Sequence, residues 1–104
     1  MTVIALLSVA PVREGSMAAD VAKAVEALDD FDVSYETTPM GTTIEAGDVG
    51  TLFDAVEAAH EAVPGDRVST FLKIDDKRTS DKSAAEKVAD VERELGREAR
   101  RRTE

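Results

Sequence analysis

Tyr35-Glu36-Thr37-Thr38-Pro39-Met40-Gly41-Thr42-Thr43-Ile44-Glu45 reads as a strand, a tight turn and a second strand. Tyr35, Thr37, Thr38, Thr42, Thr43 and Ile44 are β-branched or aromatic, types that suit a pleated, half-buried surface. Pro39 fixes φ and Gly41 permits φ > 0, so Pro39-Met40-Gly41 can reverse the chain between the two runs. Two carboxylates, Glu36 and Glu45, sit inside these strands, where charge is unusual.

The flanking chain is symmetrical about this hairpin. The first hairpin strand is predicted over Phe31 to Thr38 and the second over Gly41 to Ala46. Ahead of them, Met17, Val21, Ala24, Val25 and Leu28 recur at helical spacing, with Asp20, Lys23 and Glu26 off the stripe. They predict a helix over Met17–Asp29 with Ser16 as N-cap. The opening run, Thr2 to Pro11, is apolar on both alternating faces, as a central strand is, and Pro11 ends it. Behind the hairpin, Asp48 caps a second predicted helix over Val49–Val63, with Leu52, Phe53, Val56, Ala59 and Val63 facing inward. Pro64-Gly65 stops it. Arg67 to Asp75 alternates as a fourth strand. Ser83-Ala84-Ala85-Glu86 has capping-box spacing, and Ala84, Val88, Val91 and Leu95 then mark a third helix. Residues 1–96 form the domain; the tail, Arg97 to Glu104, is charged and expected to fray.

The order β-α-β-β-α-β-α is a split βαβ pattern. Right-handed crossovers set two helices on one face of a four-stranded antiparallel sheet and leave the other face bare. Val68, Leu72 and Ile74, Val33, Tyr35 and Thr37, and Thr42 and Ile44 are assigned to the helix side. Ile4, Leu6, Ser8 and Ala10, Ser34, Glu36 and Thr38, Thr43 and Glu45, and Ser69, Phe71, Lys73 and Asp75 are assigned to the bare side. A mixed apolar and polar surface of this kind marks an interface. Buried there, Glu36 and Glu45 need partners, either Lys73 or Arg67 of the chain itself or donors from a ligand.

With 104 residues the chain makes one domain. It has no cysteine, which excludes disulfides, thiolate metal sites and cysteine nucleophiles. No apolar run approaches the ~20 residues of a membrane span, and Met1 to Ala10 lacks the basic flank of a signal peptide, so a cytoplasmic location is expected. The net charge of −9, from 22 acidic and 13 basic residues, argues against nucleic-acid binding. Only five lysines stand against those acids, a balance expected of a high-salt cytoplasm.

Ser8-Val9-Ala10-Pro11, the hairpin Tyr35 to Glu45, the helix end His60-Glu61-Ala62-Val63 and the strand Arg67 to Arg78 together resemble the small thiamine-binding protein family, over about Val3 to Val91. That resemblance implies an α+β, ferredoxin-like βαββαβ sandwich with a C-terminal helix. It implies sheet-to-sheet assembly into homodimers or homotetramers and no catalysis; from the residues themselves no cofactor and no metal are expected. Some members bind thiamine or its hydroxymethylpyrimidine half. The expected ligand-binding set here is Ser8, Tyr35, Glu36, Thr38, Met40, Gly41, Thr42 and Glu45. A carboxylate or hydroxyl can read the donor–acceptor edge of an aminopyrimidine, and Tyr35, Phe71 or Met40 can stack on the ring.

Other chemistry is weaker. His60 is the single histidine and reads as a packed or surface residue. Asp75-Asp76 with Asp48 or Glu45 reads as a solvated loop rather than a cation site. Ser8, Thr37 and Thr38 have no base at an identifiable spacing. Arg97, Arg100, Arg101 and Arg102 suit a helix C-terminus. Three readings remain: a non-enzymatic pyrimidine binder, an assembly module using the bare face for protein contacts alone, and an enzyme of unknown chemistry.

Overall fold

A computed structural model of the chain describes residues 2–99. The elements are β1 (Val3–Pro11), α1 (Ala18–Ala27), a 3₁₀ turn (Leu28–Asp30), β2 (Val33–Thr38), β3 (Gly41–Ala46), α2 (Val49–Ala62), β4 (Val68–Asp75) and α3 (Ala84–Leu95). No helix among the described residues is long and apolar enough to cross a membrane. Arg100, Arg101 and Arg102 of the predicted tail lie outside the described residues.

Element boundaries follow local hydrogen bonding. The first helix is shorter than Met17–Asp29 because its last turn tightens to 3₁₀ form, a common way to end a helix. The Phe31 amide then donates to Leu28 O at 3.1 Å, and the Val33 amide to Phe31 O at 2.8 Å. Those amides are spent on the turn, so β2 begins at Val33 and not at Phe31. Ser16 is not the N-cap: Met17 holds that position without a side-chain cap, and the Ser16 hydroxyl accepts from Ala18 N–H at 3.4 Å. Asp48 does cap α2, accepting from Thr51 N–H at 2.7 Å and from the Thr51 hydroxyl at 3.0 Å. These bonds hold its carboxyl below the usual aspartate range.

The sheet is antiparallel, in the order β2-β3-β1-β4, with helices crossing behind it in the ferredoxin-like manner. Directly opposed residues on neighbouring strands share a face, so the register fixes both surfaces. Ile44 opposes Ala5 and Tyr35, and Ala5 opposes Ile74; this set faces α1 and α2. Val3, Ala5, Leu7, Val9, Ile44 and Ala46 form its buried floor, covered by Ala24, Leu28, Leu52, Ala55, Val56, Ala59 and Val63. The two-faced assignment made from alternation therefore stands.

Two helix positions depart from it. Phe53 is 52% exposed, because α2 buries Leu52, Ala55, Val56 and Ala59 and Phe53 lies outside that arc. Asp20, placed off the α1 stripe, is buried and ion-paired with Arg13 from the preceding loop. An aspartate tolerates such a place only with a partner of this kind.

The second sheet face is not bare. The third helix lies against the end where Ser34, Glu45, Ile4 and Asp75 stand in a row across the strands. Its start is a complete capping box: Glu86 N–H donates to Ser83 Oγ at 3.1 Å and Ser83 N–H to Glu86 Oε1 at 3.4 Å. Gly96, at φ 72°, ends it in the left-handed region. Yet α3 buries no residue. What ties it to the body is polar: Lys87 Nζ donates to Asp75 Oδ2 at 2.6 Å, and the Thr2 hydroxyl donates to Asp81 O at 3.2 Å. Sequence spacing could locate this helix but not the face it takes.

The Lys87 ammonium holds the Asp75 carboxyl below its usual range. Asp75 therefore favours the docked helix fully above about pH 4, the ordinary aspartate value, and the contribution fades as pH falls through its lowered folded-state value. NMR titration of the carboxyl carbon should show the depressed pKa in the wild type and its return towards the ordinary value in Lys87→Ala. An unchanged titration would mean that this pair does not hold α3.

Candidate functional site

β1 runs longer than its neighbour. Its pairing with β3 ends at Leu7 opposite Thr42, whereas its pairing with β4 continues through Ser8–Phe71, Val9–Thr70 and Ala10–Ser69. Beyond Leu7 the β3 side of the β1 backbone has no strand partner. A strand edge of this kind offers a row of donors and acceptors. It forms one wall of a cleft between the hairpin tip and α1.

The opening is set by the hairpin. Thr38 Oγ donates to Gly41 O at 2.8 Å and accepts from Met40 N–H at 3.2 Å, which fixes the turn. Gly41 has φ +146°, and a Cβ there would stand 2.8 Å from Leu7 O. Glycine lets β3 come against β1 at this point, just before the two strands part. Met40, 81% exposed, hangs at the rim.

The opposite wall comes from α1 and its 3₁₀ turn: Val21, Ala24, Val25 and Leu28. The polar atoms are few. Thr37 and Thr42 hydroxyls bond each other at 3.1 Å, and Thr38 is committed to the turn. Ser8 is exposed and borders the cleft, but its side chain alternates with Leu7 and Val9 to the sheet face away from α1. The cleft encloses about 170 Å³. A cavity of about 150 Å³ accepts benzene, so this one takes a single six-membered ring.

The eight residues expected at a ligand site divide into two groups. Ser8, Thr38, Met40, Gly41 and Thr42 line the cleft. Tyr35, Glu36 and Glu45, with Thr38 again, border a second recess of about 330 Å³ between β2–β3 and α3, closed by Ala84, Ala85 and Val88. Tyr35 belongs to the helix-side set, and its hydroxyl donates to Asp29 Oδ1 at 2.5 Å. That carboxylate raises the Tyr35 pKa, first because the hydrogen bond it accepts favours the protonated phenol and then because a phenolate would meet its charge. Glu36 and Glu45 make no ion pair among the described residues, so neither Lys73 nor Arg67 serves them.

The α1 wall was not foreseen as part of a site. Val21 and Val25 were visible only as core positions; both are half-buried, because the strand beneath them lacks its neighbour. The remaining candidates sit apart from the cleft. His60 Nδ1 lies 2.5 Å from Thr70 Oγ1 on an exposed surface. Asp75 and Asp76 pair with Lys87 and Arg78. No cluster of three metal-ligating side chains occurs among the described residues.

A family model described as thiamine-binding protein matches residues 5–92. A UPF0045 protein of Methanothermobacter thermautotrophicus is 48% identical over 83 residues, which cover 77% of this chain and 84% of that protein. A hypothetical protein of Methanocaldococcus jannaschii with a crystal structure has a TM-score of 0.80 at 33% identity, over 86% of this chain and 95% of its own. A Thermotoga maritima structure, of a protein named for thiamine biosynthesis or salvage, has a TM-score of 0.75 at 26% identity, over 88% of this chain and 99% of its own.

Proposed function

Because the chain belongs to the thiamine-binding protein family, we propose that it is a non-enzymatic binding protein for thiamine or its hydroxymethylpyrimidine half, working as a homo-oligomer. The observation that carries this reading is the overhang of β1 beside the hairpin tip. It leaves an unpaired strand edge beside a cleft of one-ring size. An aminopyrimidine has a donor and an acceptor side by side, the pattern a strand edge complements. Val21, Val25 and Leu28 cover one face of the ring, and Met40 adapts its thioether to the rim.

The size of the cleft favours the pyrimidine ring over the whole of thiamine. The thiazolium then extends towards solvent, where the net charge of −9 favours a cation. Catalysis is disfavoured by what surrounds the hydroxyls. Those of Thr37, Thr38 and Thr42 hydrogen-bond to one another or to the turn backbone, and no basic side chain lines the cleft.

Calorimetric titration with hydroxymethylpyrimidine and with thiamine tests the proposal. Saturable heat is expected with both. Met40→Ala, which removes the thioether at the rim, should weaken binding. Glu36→Gln and Glu45→Gln should leave pyrimidine binding unchanged, since both stand in the other recess. No heat at millimolar ligand would reject the reading, and sensitivity to the glutamates alone would move the site under α3.

A further inference from the structure

Four of the chain's five lysines gather at one end of the molecule, although its net charge is −9. A recess of about 350 Å³ lies there, between the sheet end where Ile4 opposes Asp75, the loop after β4, and α3. Lys77, Lys82 and Lys87 line it. Lys73 stands two residues before Asp75 on the same sheet face, and only Lys23, on α1, lies elsewhere. Ion pairing accounts for part of this gathering. Lys87 is bonded to Asp75, and Lys82 Nζ donates to Asp90 Oδ2 at 2.5 Å. Asp90 is shared with Arg93, whose guanidinium donates twice to Oδ1, at 2.9 and 2.8 Å. Lys77 makes no ion pair among the described residues. The recess therefore holds three ammoniums against two carboxylates, one of them already divided between two cations. Lys82 and Lys87 each spend one of three N–H donors on a carboxylate. Ser80 also lines the recess; its oxygen accepts from Lys82 N–H at 3.1 Å, which leaves its own proton to donate. Like charges at close quarters raise the energy of the fold, and an anion between them lowers it.

We propose that this recess is an anion site that takes a phosphate group, held by the Lys77, Lys82 and Lys87 ammoniums and the Ser80 hydroxyl. Lysine meets phosphate as a point charge, whereas a flat carboxylate is better matched by the planar fork of arginine. The donors come from two elements, the loop and α3, so a tetrahedral anion can bridge them. The volume leaves room for a substituent, so free phosphate and a phosphate monoester both fit. Because α3 buries no residue, a phosphate bridging Lys77 and Lys87 ties that helix to the loop. Ile4 and Ser8 are four residues apart along β1, roughly 13 Å, so the recess is separate from the cleft and independent of what binds there.

Amide-resolved NMR titration with inorganic phosphate and with glycerol 3-phosphate tests the site, with sodium chloride adjusted to hold the ionic strength constant. Saturable shifts are expected at Lys77–Lys82 and Lys87. Tighter binding of the ester assigns the site to a phosphorylated molecule, and equal binding to the free anion. Lys77→Gln is the decisive variant, because Lys77 holds no ion pair and its loss leaves the Lys87–Asp75 contact to dock α3. It should weaken phosphate binding about tenfold or more, the loss of one charge-assisted hydrogen bond, with the unfolding midpoint in chloride unchanged. Lys23→Gln should bind phosphate as the wild type does. Circular dichroism confirms that each variant is folded. Shifts that grow without saturating, undiminished affinity in Lys77→Gln, or an equal loss in Lys23→Gln would overturn the site.

Discussion

Gly41→Ala lowers the unfolding free energy by about 2–4 kcal/mol, combining a positive-φ penalty of 1–3 kcal/mol with the cost of overpacking. Two effects act together at this position. Its φ of +146° is one that L side chains rarely adopt, and the new Cβ would press on Leu7 O at 2.8 Å and Leu6 Cδ1 at 3.1 Å. The leucine methyl can move aside, but the carbonyl belongs to the central strand and cannot. The hairpin tip must therefore lift from β1, which opens the cleft wall that Gly41, Met40 and Thr42 share. Loss of stability and loss of pyrimidine binding should appear together. Urea unfolding measures the first. A change under about 0.5 kcal/mol would mean that the hairpin is not held against β1 as described.

Ile44→Ala should cost about 2–5 kcal/mol, the range for emptying a well-packed aliphatic site. Ile44 is fully buried, between Ala5 of β1 and Tyr35 of β2, over the floor that α2 covers. A domain of this kind has roughly 5–15 kcal/mol in total, so this substitution takes a large share. Phe53→Ala is the informative contrast. Phe53 is the larger side chain, but it is half exposed, so its truncation should cost clearly less than that of Ile44. Comparable losses would return Phe53 to the core and require a rotated α2.

Phe53 also shows where pattern reading gives out. Its spacing from Leu52, Val56 and Ala59 allows an inward position, but α2 has more apolar residues than its buried arc can hold, and small alanines at 55 and 59 set the close approach. Asp20 is the opposite case: its charge argued for the surface, and only the loop that brings Arg13 across it makes burial tolerable. Strand faces were legible because a period of two combined with pairing leaves one solution once a single strand is assigned. The face taken by α3 was not, because an ion pair between Lys87 and Asp75 across twelve residues leaves no periodic trace.

The site was partly legible for the same reasons. Ser8, Thr38, Met40, Gly41 and Thr42 come together because the turn and the end of β1 are neighbours in any fold of this order. Glu36 and Glu45 point to the opposite face, as their alternation with Tyr35 and Ile44 required. One signal could have revealed the cleft: β1 has nine residues and β3 has six, so part of the central strand must lack a neighbour. Val21 and Val25 then become wall rather than core.

An amide-resolved NMR titration with hydroxymethylpyrimidine tests the account most directly. Shifts confined to Ser8–Ala10, Val21, Val25 and the Met40–Thr42 tip are predicted. Shifts centred on Glu36, Glu45 and Ala84–Val88, or no shifts at millimolar ligand, would contradict it.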